Sequence, residues 1–281
     1  MKNKFIMILI ILLLILVILI KPIKKENNNI IFVTSFIDII QYNSINFKNT
    51  IDDYFFCFYN LASTIKYKLL VYISNDLKEK LLLKYNFNDN IEFVNIKNVN
   101  TFLNKYFLLN IEQKILDSDE FKNRKGIKPQ TWNAKYNLLN HSKINYIKYS
   151  KKLYSNYKFY SWIDFDYVKE LLENTPQNLN LDKIPNKIIY EAFYLPNFRI
   201  LEEEILKIDD TIIKGSGFIV PNNLVEIFHD KYENKLKKWY SNKICDDDKS
   251  LVLQLYFDYP NMFHIIIDKT LFSIFNHYKM L

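Results

Sequence analysis

Glycine and cysteine are scarce in this sequence. Its 281 residues include three glycines, seven prolines and two cysteines. So little glycine and proline excludes a collagen-like, glycine-rich or linker-dominated chain, and two cysteines are too few for a disulfide framework or a four-thiolate zinc site. Hydrophobic residues make up 49% of the chain and charged residues 25%. This composition predicts a globular protein of one or at most two domains with a sizeable buried core.

Two phosphate-binding motifs that depend on glycine are absent from the sequence. It contains neither G-x-G-x-x-G nor G-x-x-x-x-G-K-[ST], which disfavours a classical dinucleotide-binding fold and a P-loop NTPase. The formal net charge of +7 would suggest a nucleic-acid partner. However, five of those charges are lysines within residues 1–25, so the rest of the chain carries only +2. We therefore expect no nucleic-acid partner.

The amino terminus carries a long apolar run. Phe5–Ile20 contains only Phe, Ile, Met, Leu and Val, with lysines on both sides. As a helix it would span about 24 Å, and flanking lysines can extend to the interface of a hydrocarbon core about 30 Å thick. A cleaved signal peptide would end in small residues, which are missing here, and a buried core helix would need cover on all sides. We therefore predict an uncleaved signal anchor at 1–25.

This prediction has consequences for location and domain organisation. Lysines on both sides of the apolar run leave the membrane orientation open. We expect a single-pass membrane protein of type II, with its large domain outside the cytosol, in the secretory-pathway lumen if the cell is eukaryotic. Residues 26–29 form a short polar linker, and no long break rich in proline, glycine or serine follows it. Residues 30–281 are therefore predicted to form one domain.

Strand-like and helix-like segments alternate after the linker. The strand-like segments are Ile30–Phe36, Lys68–Ser74 and Ile91–Ile96, and the helix-like segments between them are Ile51–Ile65 and Leu77–Tyr85, the latter capped by Asn75-Asp76. This βαβαβ order predicts an α/β fold with a mostly parallel sheet covered on both faces. Such sheets bind ligands at the carboxyl ends of their strands.

Two aspartates follow an apolar strand-like segment, Phe159–Ile163. Asp164 and Asp166 are two residues apart, and in extended geometry they would point to the same side. Carboxylate pairs of this kind hold Mg²⁺ or Mn²⁺, commonly together with substrate phosphates. The Asp-x-Asp spacing predicts a metal site, although a solvated strand end has the same spacing.

The sequence resembles the HtrL/YibB family of glycosyltransferase-like proteins, related to the GT-A nucleotide-sugar transferases. The matching segments are Ile31–Ile39, Tyr136–Leu139 with Ser142-Lys143, Phe159–Tyr167 with Trp162–Phe165 at its centre, Asp247–Leu251 and Leu253–Leu255. The resemblance implies a GT-A-like domain with a Rossmann-like amino-terminal half. It also implies a metal-dependent, hexosyltransferase-like activity that moves a sugar from a nucleotide sugar to a hydroxyl of a glycan or glycoconjugate. The family usually has glycine where this chain has Asp166, so that residue is supported by its local chemistry only.

The resemblance also implies roles for individual residues. Asp164 would hold Mn²⁺ or Mg²⁺ under the donor diphosphate, and the local Asp-x-Asp chemistry adds Asp166 as a second ligand. Thr34 and Asp38, after the first strand, would receive the nucleotide, although a polar turn and helix cap would look the same. Lys143, on a predicted helix from Trp132 to Tyr154, would meet the diphosphate, unless it is an ordinary solvated lysine.

Two further segments complete the predicted site. Gly215-Ser216-Gly217 holds two of the three glycines, which indicates a backbone close to a ligand, a positive φ or a plain β-turn. Asp247 and Asp248 precede a predicted helix, Lys249–Tyr256. They are expected either to cap it or to act on the acceptor hydroxyl. His264, a lone histidine in an apolar segment, is either structural or a third metal ligand.

Two other functions fit the same residues. A membrane-tethered domain that binds carbohydrate or protein would keep the fold without turnover. A metal-dependent phosphoesterase or nuclease would use the same carboxylates, but the sequence lacks a clustered basic surface and further Asp/His ligand motifs.

Overall fold

The computed structural model describes residues 29–38, 50–124, 133–168, 175–207, 211–270 and 273–280. The predicted anchor at 1–25 lies outside these ranges. Within them, no helix is both long and apolar enough to cross a membrane. Neither Cys57 nor Cys245 forms a disulfide.

The described residues form a mixed sheet of seven strands. The strands are β1 (Ile30–Phe36), β2 (Lys68–Ile73), β3 (Ile91–Asn95), β4 (Phe159–Ile163), β5 (Ile188–Ala192), β6 (Ile213–Pro221) and β7 (Phe263–Ile267). Their order in the sheet is β3-β2-β1-β4-β6-β5-β7. All of these strands run in one direction except β6, which is antiparallel to both β4 and β5. The prediction of an α/β fold with a mostly parallel sheet is confirmed.

Helices cover both faces of the sheet. They are α1 (Ile51–Thr64), α2 (Asn75–Leu82), α3 (Tyr106–Asp117), α4 (Asp119–Arg124), α5 (Ala134–His141), α6 (Lys143–Leu153), α7 (Val225–Ser241) and α8 (Asp248–Asp258). Helices α3 to α8 pack on one face. The other face is covered by α1, α2 and a 3₁₀ segment, Ile274–Tyr278. The strands are apolar on both sides because both faces are buried.

Alternate residues of each strand enter the two core layers. In β1, Ile31 and Val33 pack in the layer under α6, whereas Ile30 and Phe32 pack in the layer under α1. In β4, Trp162 belongs to the first layer and Ile163 to the second. This alternation follows from the period of two along a strand. It places Asp164, the next residue, at the edge where β4 leaves the sheet.

The strand order reverses between β1 and β4. From β1 the chain first adds β2 and β3 on one side, and then returns to place β4 on the other side. Open α/β sheets bind ligands outside the carboxyl ends of the strands at such a switch point. The segments after Phe36 and Ile163 leave the sheet at this position. The topology therefore predicts a ligand site at the edge that carries Asp164.

The predicted helix from Trp132 to Tyr154 needs a correction. From residue 133 onward the structure has two helices, α5 and α6, which meet at Ser142. The Ser142 hydroxyl donates to the Leu138 carbonyl oxygen at 2.6 Å, and such back-bonding bends helices. The break makes Lys143 the first residue of α6.

Candidate active site

An ammonium group surrounded by oxygen atoms lies at the carboxyl edge of the sheet. Lys143 Nζ donates to the Gly215 carbonyl oxygen at 2.9 Å, and it lies 3.2 Å from Asp248 Oδ2 and 3.4 Å from Asp164 Oδ1. These four residues come from the start of α6, the end of β4, β6 and the start of α8. We call them the Lys143 cluster. The structure thus brings together four residues that the sequence singled out separately.

Lys143 is a buried cation, only 8% exposed. Burial lowers the pKa of its ammonium group, but the charges of Asp164 and Asp248 outweigh this effect and raise the pKa above its usual value. The ammonium group also lies 5.8 Å from the centre of the Trp162 ring. The prediction of an ordinary solvated lysine is therefore wrong.

Asp164 is held by its neighbours on both sides. Trp162 Nε1 donates to Asp164 Oδ1 at 2.7 Å, and the backbone N–H of Asp164 donates to the Ser216 carbonyl oxygen at 2.8 Å. Its side chain is 28% exposed. Among the described residues, both side-chain contacts of Asp164 use Oδ1. The Oδ2 atom therefore remains available to a ligand.

The extended geometry expected for Asp164 to Asp166 is wrong. Strand β4 ends at Ile163, and the N–H of Tyr167 donates to the Asp164 carbonyl oxygen at 3.0 Å, which closes a turn. Side-chain alternation applies only to extended backbone, so it no longer places both carboxylates on one side. Asp166 lies half-buried in this turn. Its role as a metal ligand stays a prediction.

The two adjacent aspartates at the start of α8 have different surroundings. Asp247 is the N-cap: its Oδ1 accepts from the N–H groups of Lys249 (3.2 Å) and Ser250 (3.4 Å), and its Oδ2 lies 2.8 Å from Lys249 Nζ. Asp248 uses Oδ2 for Lys143, whereas its buried Oδ1 has no hydrogen-bond partner among the described residues. The predicted capping role belongs to Asp247.

Asp248 is only 4% exposed. Burial raises the pKa of its carboxyl group above the usual range, Lys143 opposes this effect, and the charge of Asp247 adds to it. A carboxyl group that titrates nearer neutrality and has an unpaired oxygen is suited to accept a proton.

Gly215 and Gly217 lie within β6, so the predicted loop or β-turn is wrong. No glycine among the described residues has a positive φ. The structure shows a close approach to neighbouring side chains, and approach to a ligand stays a prediction. A Cβ atom on Gly215 would lie 3.0 Å from Lys249 Cγ and 3.3 Å from Asp248 Oδ2, and one on Gly217 would lie 3.2 Å from Ile274 Cγ2. Glycine at 215 therefore lets the side chains of Asp248 and Lys249 pack directly against β6.

The two residues predicted to receive the nucleotide lie on or just after β1. Thr34 is completely buried inside the strand, and its Oγ1 has no hydrogen-bond partner among the described residues. The structure does not bring Thr34 into the Lys143 cluster. Asp38 is half-buried two residues past the end of β1. Nucleotide binding by either residue stays a prediction.

His141 was missed by the sequence analysis. It is buried, and its Nε2 lies 2.9 Å from the Asp246 carbonyl oxygen and its Nδ1 2.7 Å from the Tyr232 hydroxyl. Burial lowers the pKa of His141 to about 4, so the ring is neutral at pH 7. Because a carbonyl oxygen only accepts, Nε2 carries the hydrogen and Nδ1 accepts from Tyr232. His141 thereby positions the segment that leads into Asp247 and Asp248.

The comparison with known proteins identifies a family. The profile of the family described as "Bacterial protein of unknown function (HtrL_YibB)" matches residues 28–280. No curated protein matches the chain. One solved structure that it resembles is 4-diphosphocytidyl-2C-methyl-D-erythritol synthase from Anaerococcus prevotii DSM 20548. The match has 12% identity and a TM-score of 0.38, and it covers 88% of this chain and 91% of that one. The family match spans nearly the whole chain, as the resemblance implied, and the chain belongs to the HtrL_YibB family.

Proposed function

We propose that this chain is a glycosyltransferase, which moves a sugar from a nucleoside diphosphate sugar to an acceptor hydroxyl. The observation that carries this proposal is the Lys143 cluster, in which a buried cation and two carboxylates lie at the carboxyl edge of the sheet. This edge adjoins the switch point between β1 and β4, where open α/β sheets receive nucleotides. The family match supports the same assignment through the resemblance described above.

Asp248 would act as the general base. Its unpaired Oδ1 would take the proton from the acceptor hydroxyl while the acceptor oxygen bonds to the anomeric carbon. The bond from that carbon to the diphosphate oxygen breaks, and the diphosphate leaves with the bonding electrons. Glycine at 215 keeps the Asp248 carboxylate clear of a side chain from β6, because a Cβ atom there would lie 3.3 Å from Asp248 Oδ2.

Lys143 would balance the negative charge of the donor. Its ammonium group already contacts three oxygen atoms of the cluster. A diphosphate oxygen that replaced one of these contacts would keep the charge paired, and the buried position would make the interaction stronger than in water.

A divalent cation fits this site through Asp164. The Oδ2 atom of that residue is unengaged among the described residues, and carboxylate oxygen suits Mn²⁺ and Mg²⁺. Asp166 is the second proposed ligand. A metal ion bound there would act as a Lewis acid on the departing diphosphate.

The proposal is tested by turnover of nucleotide sugars. The full-length chain is incubated with a panel of donors, with and without Mn²⁺, and the release of nucleoside diphosphate is measured. Asp248→Asn is expected to lower kcat by about a hundredfold to ten-thousandfold, because it removes the general base. Asp164→Asn should weaken dependence on Mn²⁺, and Asp182→Asn, at an exposed aspartate away from the cluster, should leave the rate unchanged.

Other outcomes would contradict the proposal. Phosphate release from many phosphoesters without sugar transfer would indicate the phosphoesterase that the sequence left open. Donor or glycan binding without turnover, unaffected by Asp248→Asn, would indicate a binding domain. A wild-type protein that neither binds nor turns over any donor would refute sugar transfer.

A further inference from the structure

A second group of ligand-type side chains lies at the same edge of the sheet, beyond β6. Glu191 is on β5, Asp268 follows β7, and His277 is in the 3₁₀ segment Ile274–Tyr278. One ligand atom from each of these residues lies within 4.8 Å of the others. His277 Nε2 is 3.0 Å from Asp268 Oδ2 and 3.5 Å from Glu191 Oε1.

We propose that Glu191, Asp268 and His277 bind one divalent transition-metal ion. Ligand atoms about 2.1 Å from a shared ion lie about 3 to 3.5 Å from one another in tetrahedral or octahedral geometry. The two distances at His277 already fall in this range. His277 is therefore already placed to share an ion with either carboxylate, and the Glu191 and Asp268 oxygens lie within 4.8 Å of each other.

The ligand set indicates which metals fit. An imidazole nitrogen suits Zn²⁺ and the other transition metals, whereas Mg²⁺ prefers oxygen ligands only. Two carboxylates add the hard oxygen ligands that Mn²⁺ accepts. The site should therefore prefer Mn²⁺ or Zn²⁺ to Mg²⁺.

Neighbouring groups orient the two carboxylates. The Ser273 hydroxyl donates to Glu191 Oε1 at 2.7 Å, and the N–H of Thr270 donates to Asp268 Oδ1 at 2.7 Å. Asp268 Oδ2 is thereby directed to His277. Lys214 Nζ lies 3.7 Å from the other oxygen of Glu191, Oε2, and so approaches from a different side. Supporting hydrogen bonds of this kind fix metal ligands in place.

Burial and access also fit an ion site. The Glu191 side chain is 2% exposed, whereas the side chains of Asp268 and His277 are 23% and 34% exposed. One ligand is therefore buried, while the other two leave a path for the ion and its waters. Tyr278, next to His277, adds a buried hydroxyl that has no hydrogen-bond partner among the described residues.

The metal ion would fasten the carboxyl-terminal segment to the sheet. Ile274 packs against Gly217 of β6, and Phe275 packs edge-on against Phe32 of β1. A bond from the ion to His277 would join this segment to the ends of β5 and β7. The metal site does not depend on sugar transfer, because none of its ligands belongs to the Lys143 cluster.

The experiment measures metal binding by the full-length chain after treatment with a chelator. Mn²⁺ is titrated by electron paramagnetic resonance, with Zn²⁺ and Mg²⁺ as competitors. We expect His277→Gln and Asp268→Asn each to weaken Mn²⁺ binding about tenfold or more. His277→Gln should also abolish nitrogen hyperfine coupling from the imidazole, whereas Asp268→Asn, which leaves the imidazole in place, should keep that coupling on the Mn²⁺ that still binds. Asp182→Asn, at an exposed aspartate outside both groups of polar side chains, is the control and should bind as wild type does.

Melting temperatures of the metal-free variants confirm that they are folded, and the partly exposed Asp268 provides a second variant if His277→Gln unfolds. Mn²⁺ binding that is unchanged in both variants would overturn the proposal. Loss of Mn²⁺ binding only in Asp164→Asn would also overturn it. So would a wild-type melting temperature that metal does not raise, combined with a lower melting temperature in His277→Gln. The last result would make His277 an ion-pair partner of the two carboxylates.

Discussion

Adjacent residues of identical chemistry can differ completely in their surroundings, and the aspartates at the start of α8 do. The N-cap position directs the Asp247 carboxylate to the free N–H groups of the first turn. The next residue along the helix points elsewhere, so Asp248 reaches Lys143. The sequence pattern predicts that both residues lie at a helix start, but it does not distinguish them, because the direction of each side chain depends on which one is the cap.

Glu112 is a completely buried carboxyl group outside the candidate active site. It lies on α3 at 0% exposure, and the Tyr240 hydroxyl donates to its Oε2 at 2.6 Å. Burial raises the pKa of Glu112 to about 8, against the opposing effect of hydrogen bonds from Tyr240 and Asn137. The side chain is therefore mainly protonated at pH 7.

This protonation predicts how stability depends on pH. The pKa of Glu112 is higher in the folded chain than its model value of 4.5, so its contribution is fully present below about pH 4.5 and is lost as pH rises through about 8. Glu112→Gln resembles the protonated form and does not ionise. In urea unfolding, the variant should gain stability over wild type from pH 5 to pH 9, by a few kcal/mol at the upper end.

Glu203→Gln, at an exposed glutamate, is the control and should follow the wild-type profile throughout. A constant difference between wild type and Glu112→Gln across this pH range would mean that Glu112 is ionised in the folded protein.

At the scale of elements, β6 connects the two groups of polar side chains. Its residues alternate between the faces of the sheet. The Gly215 carbonyl oxygen accepts from Lys143. Lys214, the preceding residue, pairs with Glu191. Strand β6 is antiparallel to both of its neighbours, β4 and β5, so its amino-terminal end lies at the carboxyl edge of the sheet.

Substitution of the two glycines by alanine should separate activity from stability. Gly215→Ala puts a methyl group against Lys249 and Asp248, so donor turnover should fall at least tenfold, and the 3.0 Å contact with Lys249 Cγ should lower the unfolding free energy as well. Gly217→Ala puts it against Ile274 and Tyr167 in the core, and the strain should cost about 1–3 kcal/mol of unfolding free energy. Ser216→Ala, between them, is the control for both measurements. Equal effects of the two glycine variants on both quantities would contradict this separation.

Local sequence pattern was sufficient for most elements. The apolar runs at Ile30–Phe36 and Phe159–Ile163 are strands, and Ile51–Thr64 is a helix. Local pattern failed where partners distant in sequence decide the structure. The scarcity of glycine suggested a turn at Gly215 and Gly217, but both residues lie in strand β6. Glycine fits these positions because side chains of helix α8 and of the carboxyl-terminal segment lie close to the strand.

The Glu191, Asp268 and His277 group was invisible for the same reason. Glu191 is far in the chain from Asp268 and His277, and the parallel pairing of β5 with β7 and the packing of the carboxyl-terminal segment bring the three together. His264 lies in an apolar segment, which predicted a structural or metal-binding role, yet its side chain is exposed on β7.

At the scale of the whole molecule, the chain enters the sheet at the amino-terminal end of β1, at the edge opposite the candidate active site. The first described strand begins at Ile30, and its seven residues run towards the carboxyl edge, a distance of about 23 Å. An anchor at residues 1–25, joined by the short linker, would therefore leave the Lys143 cluster on the far side of the sheet from that attachment. A tether attached at that edge would leave the predicted site open to its substrates.

Membrane attachment through this anchor predicts the effect of charge in the apolar run. Leu12→Arg with Leu13→Arg places two charges at its centre, at a cost of about 2.5–3.5 kcal/mol each for insertion. The double variant should move from the membrane pellet, resistant to alkaline carbonate, into the supernatant. Leu82→Arg with Leu83→Arg is the matched control, because these adjacent leucines are 43% and 87% exposed, and it should stay in the pellet. If the first variant also stayed in the pellet, attachment would depend on the folded domain, and its exposed Tyr106 and Phe107 would be the next residues to substitute.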